Sequence, residues 1–228
     1  MPLATGQSTT ATVYRAATAS GRLLLLAHGA GAGQHHPFIT AMASQLAARG
    51  LDVVTFDFSY IHEGRKVPDR APVLEACFAH VVDWAIARPE FASHRLLIGG
   101  KSMGGRMATH LAAAGLVARH GAGPPLAGVV ALGYPLHPPG NPEKLRAKHL
   151  ADIKAPMLFV QGSRDTFGTP DELRPIIRKL KPPATLYVVE GGDHSFKVPK
   201  SLGIAQQDVH RAVLDEVTRW LKESSGKL

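Results

Sequence analysis

Residues 96–106 read LLIGGKSMGGR: a short apolar run, a serine with glycine two positions away on either side, then the start of a helical pattern. This is G-x-S-x-G, with Gly100 and Gly104 flanking Ser102. A serine hydroxyl is a poor nucleophile until it is exposed and given a base, and a sharp strand-to-helix turn exposes it. Such a turn forces unusual backbone angles on the serine and leaves room beside it only for small residues. The same residues imitate the tail of a phosphate-binding G-x-x-x-x-G-K-[ST] loop. The opening glycine of that motif would have to stand where the chain has Arg95, and residues 96–99 are mostly strand-like. The stretch therefore predicts an exposed nucleophile in preference to a nucleotide cradle or a plain turn.

On both sides of this stretch, strand-like and helix-like segments alternate. Strands are predicted over Ala11–Arg15, Leu23–Ala27, Asp52–Asp57, Leu96–Ile98, Gly128–Leu132, Met157–Gln161 and Thr185–Val189. Several are apolar throughout, as strands buried on both faces are. Helices are predicted over Pro37–Arg49, Ala71–Arg88, Met103–His120, Asp171–Lys179 and Gln207–Lys222, the last from the spacing of Val209, Val213, Val217 and Trp220. Alternation of this kind implies an α/β fold, a mostly parallel sheet with helices on both faces. No repeat or linker interrupts residues 1–228, so a single domain is expected. One irregular, proline-rich stretch, Pro135 to Asn141, separates two strands.

Composition narrows the function classes. With 228 residues, 45% of them hydrophobic, the chain has enough material for a substantial core. Its net charge of +8 comes from lysines and arginines scattered along the chain, and aromatic residues make up only 6%, which argues against a nucleic-acid surface. Cys77 is the single cysteine, so no intrachain disulfide forms and a reducing compartment fits. The N-terminal residues lack the basic start and apolar block of a signal peptide, and Leu23–Ala27 is too short to span a bilayer. A cytoplasmic protein without membrane attachment is the expectation.

In a parallel sheet, ligands bind beyond the carboxyl ends of the strands, so side chains in post-strand loops are the ones able to converge. Asp165 follows PMLFVQGS and His194 follows TLYVVE in a glycine loop, which places both on the same rim as Ser102. A histidine there can take the serine proton, and a buried carboxylate can hold the histidine in the right tautomer. Glu190 and Asp193 are the rival carboxylates. The negative oxygen of a tetrahedral intermediate needs N–H donors, and the amide of Met103 at a helix start and that of Ala30 in the loop HGAGAG are the candidates. His28 in that loop reads as a brace. The strand, glycine turn, helix and following Asp57 resemble a dinucleotide fold, but the third glycine of G-x-G-x-x-G fails, falling on Gln34 or His36 according to the frame. His35, His36, Phe58, Tyr60, Tyr134, Phe167 and Phe196 follow rim strands or lie near these loops and are the candidate substrate-binding residues. Neither a metal nor a cofactor is implied.

Taken together, HGAGAG (28–33), GKSMGG (100–105), GSRD (162–165) and GGDHSF (191–196) resemble the α/β-hydrolase superfamily over essentially the whole chain. The order Ser102, Asp165, His194 is the one found in that superfamily. The chain is similar to the small lidless hydrolases near dienelactone hydrolase. It is more similar to a group that includes a subunit of the nonspecific-lethal histone acetyltransferase complex, through LLLAHGAGAGQHHPF, FDFSY and GGKSMGGR. The resemblance implies a serine hydrolase, a carboxylesterase or thioesterase acting on a small acyl ester or thioester through a Ser-His-Asp triad. Dienelactone hydrolases use cysteine where this chain has Ser102, which turns the expectation away from the dienelactone substrate. The chromatin-complex relative raises a second reading, a hydrolase fold kept as an interaction module, and a dinucleotide-binding oxidoreductase is a third. The length leaves no room for a large cap, and Pro135–Leu150 offers at most a small cover, so an open pocket is expected.

Overall fold

The computed structural model describes residues 1, 8–115, 126–182 and 184–224. Its strands are β1 (Ala11–Tyr14), β2 (Arg22–Ala27), β3 (Asp52–Phe56), β4 (Arg95–Lys101), β5 (Gly128–Leu132), β6 (Met157–Gly162) and β7 (Ala184–Val189). They form one sheet in the order β1-β3-β2-β4-β5-β6-β7, with β1 antiparallel to β3 and every other pairing parallel. The helices are α1 (Pro37–Ala47), α2 (Ser59–His62), α3 (Ala71–Ile86), α4 (Met103–Ala113), α5 (Pro170–Ile177) and α6 (Gln206–Ser224). Short 3-10 turns occupy Pro89–Phe91, Lys148–Asp152 and Lys200–Leu202. Apart from the one-turn α2 and the 3-10 turns, every element falls where the periodicity places it.

The apolar strands are buried on both faces because helices cover both. Along β2, Leu23, Leu25 and Ala27 belong to the core shared with α3, α4 and α5, whereas Leu24 and Leu26 belong to the one shared with α1 and α6. Each such leucine contributes about 1.5–3 kcal/mol on leaving water, which is why a polar residue is not tolerated on either face. Trp220 of α6 lies against the sheet. A Cβ at Gly128 would stand 2.6 Å from its ring, so the glycine admits the indole. Capping sharpens α5: Thr169 and Glu172 form a capping box, and Pro170 occupies the first helical position.

Two boundaries differ from expectation by more than two residues. β4 runs on through Gly99, Gly100 and Lys101, because these residues pair with Val130, Ala131 and Leu132 of β5; the glycines belong to the ladder before they belong to the turn. α4 is helical to Ala113, and the remainder of the predicted Met103–His120 helix, from residue 116, lies outside the described residues. The order of the strands decides where a ligand can enter. From β2 the chain steps to β3 on one side and then to β4 on the other, so the direction of winding reverses between β2 and β4. Crevices open at the carboxyl ends of strands at such a reversal. Among the described residues, no helix is long and apolar enough to cross a membrane.

Candidate active site

Ser102 stands at the reversal point. Its φ of 51° and ψ of −115° lie outside the regions favoured by residues with a side chain, and this strain holds it at the tip between β4 and α4. The surrounding backbone explains the glycines. A Cβ on Gly100 would lie 2.6 Å from the Ala27 carbonyl oxygen and equally close to the Gly104 carbonyl carbon, so strand and helix meet with no space for a side chain. The Ser102 amide donates to the Leu132 carbonyl at 2.9 Å, tying the tip to β5.

The loops after β6 and β7 bring the other two groups. The Ser102 hydroxyl donates to His194 Nε2 at 2.7 Å, and His194 Nδ1–H donates to Asp165 Oδ2 at 2.8 Å. Asp165 is 1% exposed. Its Oδ1 accepts the Phe167 amide at 2.8 Å, and its Oδ2 also accepts the Gln161 side-chain amide at 2.9 Å. A buried carboxylate held on both oxygens in this way has one orientation, and so therefore has the imidazole. The rival carboxylates are elsewhere. Asp193 accepts the Ser195 and Lys197 amides of its own loop at 2.7 and 2.9 Å, and Glu190 is exposed.

A third loop, after β2, lies against Ser102: a Cβ on Gly29 would be 3.7 Å from the serine Cβ. His28 braces it as expected. It is fully buried, its Nδ1–H donates to the Gly29 carbonyl at 2.7 Å, and its Nε2 accepts the Phe58 amide at 3.1 Å. Burial holds its pKa below the usual histidine value, which keeps it neutral. Both oxygens of Asp57 are engaged by Gln34, Oδ1 by the backbone amide at 2.8 Å and Oδ2 by the side-chain amide at 3.0 Å. The ribose-holding position of a dinucleotide fold is thus occupied by a loop contact. Ala30 and Met103 both border the space in front of Ser102. Met103 opens α4, where an amide has no partner within its own helix.

That space is a cavity of about 600 Å³. Of the candidate wall residues, His36 and Phe167 line it; the Phe167 ring lies 4.2 Å from that of His194. Five others do not, which corrects the expectation. His35 is exposed away from the cavity. Phe58, Tyr60, Tyr134 and Phe196 are 0% exposed. Phe58 packs edge-on to His28, and the Tyr60 hydroxyl accepts the Gly31 amide at 3.1 Å, so both support the glycine loop from beneath. The Tyr134 hydroxyl donates to the Arg146 carbonyl at 2.6 Å, and Phe196 packs in the core against Phe38. The wall is built instead by Phe38 and Ile39 of α1, by Arg106 of α4 and by Arg146 of the Pro135–Leu150 segment, together with Lys101, Lys197 and His210. The spacing of Arg106 one turn beyond Ser102 is the signal that could have found it. The Pro135–Leu150 segment borders the cavity through Pro135 and Arg146, and His137 ties it to Glu172 of α5 at 3.2 Å.

Lys101 is the residue the sequence left without a role. Its ammonium donates to the His194 carbonyl at 2.5 Å and lies 5.2 Å from the centre of the Phe196 ring. Burial brings its pKa down to about 8, against the opposing pull of Asp165 and Asp193. No cluster of histidine, cysteine or carboxylate side chains among the described residues is arranged to hold a metal.

A family model for the alpha/beta hydrolase domain matches residues 20–222 of the chain. Among solved structures, a lidless α/β serine hydrolase from Xanthomonas campestris is 18% identical with a TM-score of 0.71, over 96% of this chain and 92% of that one. Dienelactone hydrolase from Anabaena variabilis is 20% identical with a TM-score of 0.69, over 94% and 91%. Est1E from Butyrivibrio proteoclasticus, solved with ferulic acid bound, is 16% identical with a TM-score of 0.69, over 93% and 96%. At these identities the likeness is one of fold.

Proposed function

Because the chain belongs to the alpha/beta hydrolase domain family, we propose that it is a serine hydrolase that cleaves small carboxylic esters or thioesters. The observation that carries this reading is the continuous hydrogen-bonded chain from Asp165 through His194 to Ser102, at 2.8 and 2.7 Å, ending at a cavity of about 600 Å³.

The steps derive from the geometry. His194 Nε2 takes the hydroxyl proton as Ser102 Oγ attacks the acyl carbon, and Asp165 stabilises the imidazolium that results. The carbonyl oxygen becomes an oxyanion, which the Ala30 and Met103 amides receive, the latter helped by the α4 dipole. Collapse expels the alcohol or thiol, which leaves with the proton from His194, and the acyl group remains on Ser102. Water then attacks the acyl-enzyme with His194 again as base, releasing the acid and restoring the serine. Nothing in this sequence of steps calls for a metal or cofactor.

The test is a panel of nitrophenyl esters with acyl chains of increasing length. Wild-type protein is expected to turn over the short esters, and Ser102→Ala to lose at least about 10³-fold in kcat. Each added methylene gains about 0.8 kcal/mol only while it still meets the wall, so kcat/KM should peak at short chains and then flatten or fall. Undiminished turnover by Ser102→Ala removes the reading, and a steady gain out to long chains replaces the open cavity by a tunnel.

A further inference from the structure

Four cationic side chains, Lys101, Arg106, Arg146 and Lys197, line the Ser102 cavity, and no carboxylate does among the described residues. Two of the four are accounted for: Lys101 by the His194 carbonyl, and Lys197 by its exposure at the rim. The guanidinium groups of Arg106 and Arg146 are different. Neither makes a hydrogen bond or an ion pair with a described residue, whereas Arg49, Arg65 and Arg219 are each matched to carboxylates. Glu75 is the acid near Arg106, and it is engaged by His110 at 2.7 Å.

We propose that Arg106 and Arg146 form an anion-binding subsite beside Ser102, and that the substrate is an ester or thioester carrying a carboxylate. The inference rests on the hydrolase reading above and narrows it. Two like charges converging on one partly buried wall repel each other and lose hydration, an arrangement relieved when an anion lies between them. The effect of the unrelieved charge is visible nearby. Burial and then Arg146 lower the Arg106 pKa, and His149, which shares a hydrogen bond with Thr109 at 2.9 Å, is brought down to about 4 by burial, His110 and Arg106.

The subsite is also held in place. Arg106 is four residues beyond Ser102, in the first turn of α4, its amide donating to the serine carbonyl at 3.0 Å, and both residues border the cavity. Arg146 is fixed at the backbone, where its amide donates to the Leu136 carbonyl at 2.8 Å and its carbonyl accepts the Tyr134 hydroxyl at 2.6 Å. Two planar forks anchored in this way suit the two oxygens of a carboxylate. Phe38 and Ile39, which also line the cavity, are apolar and suit the uncharged part of the substrate.

Two pairs of esters locate the charge. Para-nitrophenyl hemiglutarate against para-nitrophenyl butyrate places it in the acyl group, and the butyrate ester of para-hydroxybenzoate against phenyl butyrate places it in the leaving group. In wild-type protein, at least one anionic ester should exceed its neutral partner in kcat/KM by about ten- to a hundredfold at low salt. That ratio should fall towards one in Arg106→Gln, in Arg146→Gln and with rising ionic strength, because charge pairing is screened. Equal kcat/KM within both pairs, or a preference that survives in both variants, overturns the proposal. Calorimetry with glutarate on Ser102→Ala protein reads the subsite without turnover. Saturable binding there, lost on adding Arg106→Gln, supports the subsite even if no ester is cleaved, and no binding together with equal ratios refutes it. Failure of the hydrolase reading shows separately, as absent turnover of every ester in the panel.

Discussion

Two regions at the carboxyl edge of the sheet are built from the same residue types. One joins the loop after β2 to the end of β3, with His28, Gln34 and Asp57. The other joins the loops after β6 and β7, with His194, Gln161 and Asp165. In both, a buried aspartate accepts a backbone amide on one oxygen and a glutamine amide on the other, at 2.8 and 3.0 Å for Asp57 and at 2.8 and 2.9 Å for Asp165. The difference lies in the histidine. His28 gives one nitrogen to the Gly29 carbonyl and the other to the Phe58 amide, so both are consumed by backbone. His194 gives one to Asp165 and turns the other to Ser102 and the cavity. An imidazole with both nitrogens satisfied by fixed backbone groups is a structural strut. One whose second nitrogen meets a hydroxyl in an open cavity is equipped to move a proton, and the proposed mechanism uses that difference.

Exchanging the two aspartates for asparagine separates the two regions most sharply. Asp165→Asn keeps the shape but offers His194 an amide that favours the wrong tautomer, an effect of about 10⁴-fold in kcat where it has been measured in a serine protease. Its measurement is steady-state hydrolysis of a short ester. Asp57→Asn is expected to act on stability first. One of its two acceptors becomes a donor facing Gln34, at a cost of about 1–3 kcal/mol, read as a fall in the denaturant midpoint. If Asp57→Asn proves the more damaging to kcat, the two regions have been assigned the wrong way round.

A smaller effect separates the loops by what holds them. The His28 loop rests on the Tyr60 hydroxyl, whereas the His194 loop rests on the Lys101 ammonium. In the folded protein Lys101 loses its proton at about 8, and in the unfolded chain at its ordinary 10.5. Between these values the unfolded chain binds more protons, so the cost of burying the ammonium is full below about 8 and is relieved as pH rises to 10.5. Chemical denaturation of wild type and Lys101→Met across this range should show wild type gaining on the variant. Parallel curves contradict the desolvated ammonium.

How much of this was legible depends on which physical rule governs each residue. Ser102, Asp165 and His194 occupy post-strand loops of a parallel sheet, and topology alone brings such loops together, so their meeting could be read without coordinates. Asp57 and Gln34 were readable as a failed glycine fingerprint, though not as a hydrogen-bonded pair. The aromatic wall was not legible. Phe58 and Tyr60 follow β3 immediately, yet their rings turn back beneath the glycine loop, because two large side chains gain more from burial under that loop than from the rim. Arg146 was hidden because its place depends on the fold of an irregular, proline-rich segment. Arg106 was accessible from helical spacing, and Lys101 was obscured by standing beside the serine, where nothing in the motif marks its contact with the His194 carbonyl.

Fluorophosphonate labelling followed by mass spectrometry of the digested protein asks directly whether Ser102 is an activated nucleophile. A serine activated by the Asp165–His194 pair attacks the phosphorus, so one adduct is predicted, on the peptide containing Ser102, with labelling abolished in Ser102→Ala and strongly slowed in Asp165→Asn. Absence of any adduct in folded wild-type protein, or labelling that persists in Ser102→Ala, would contradict the account.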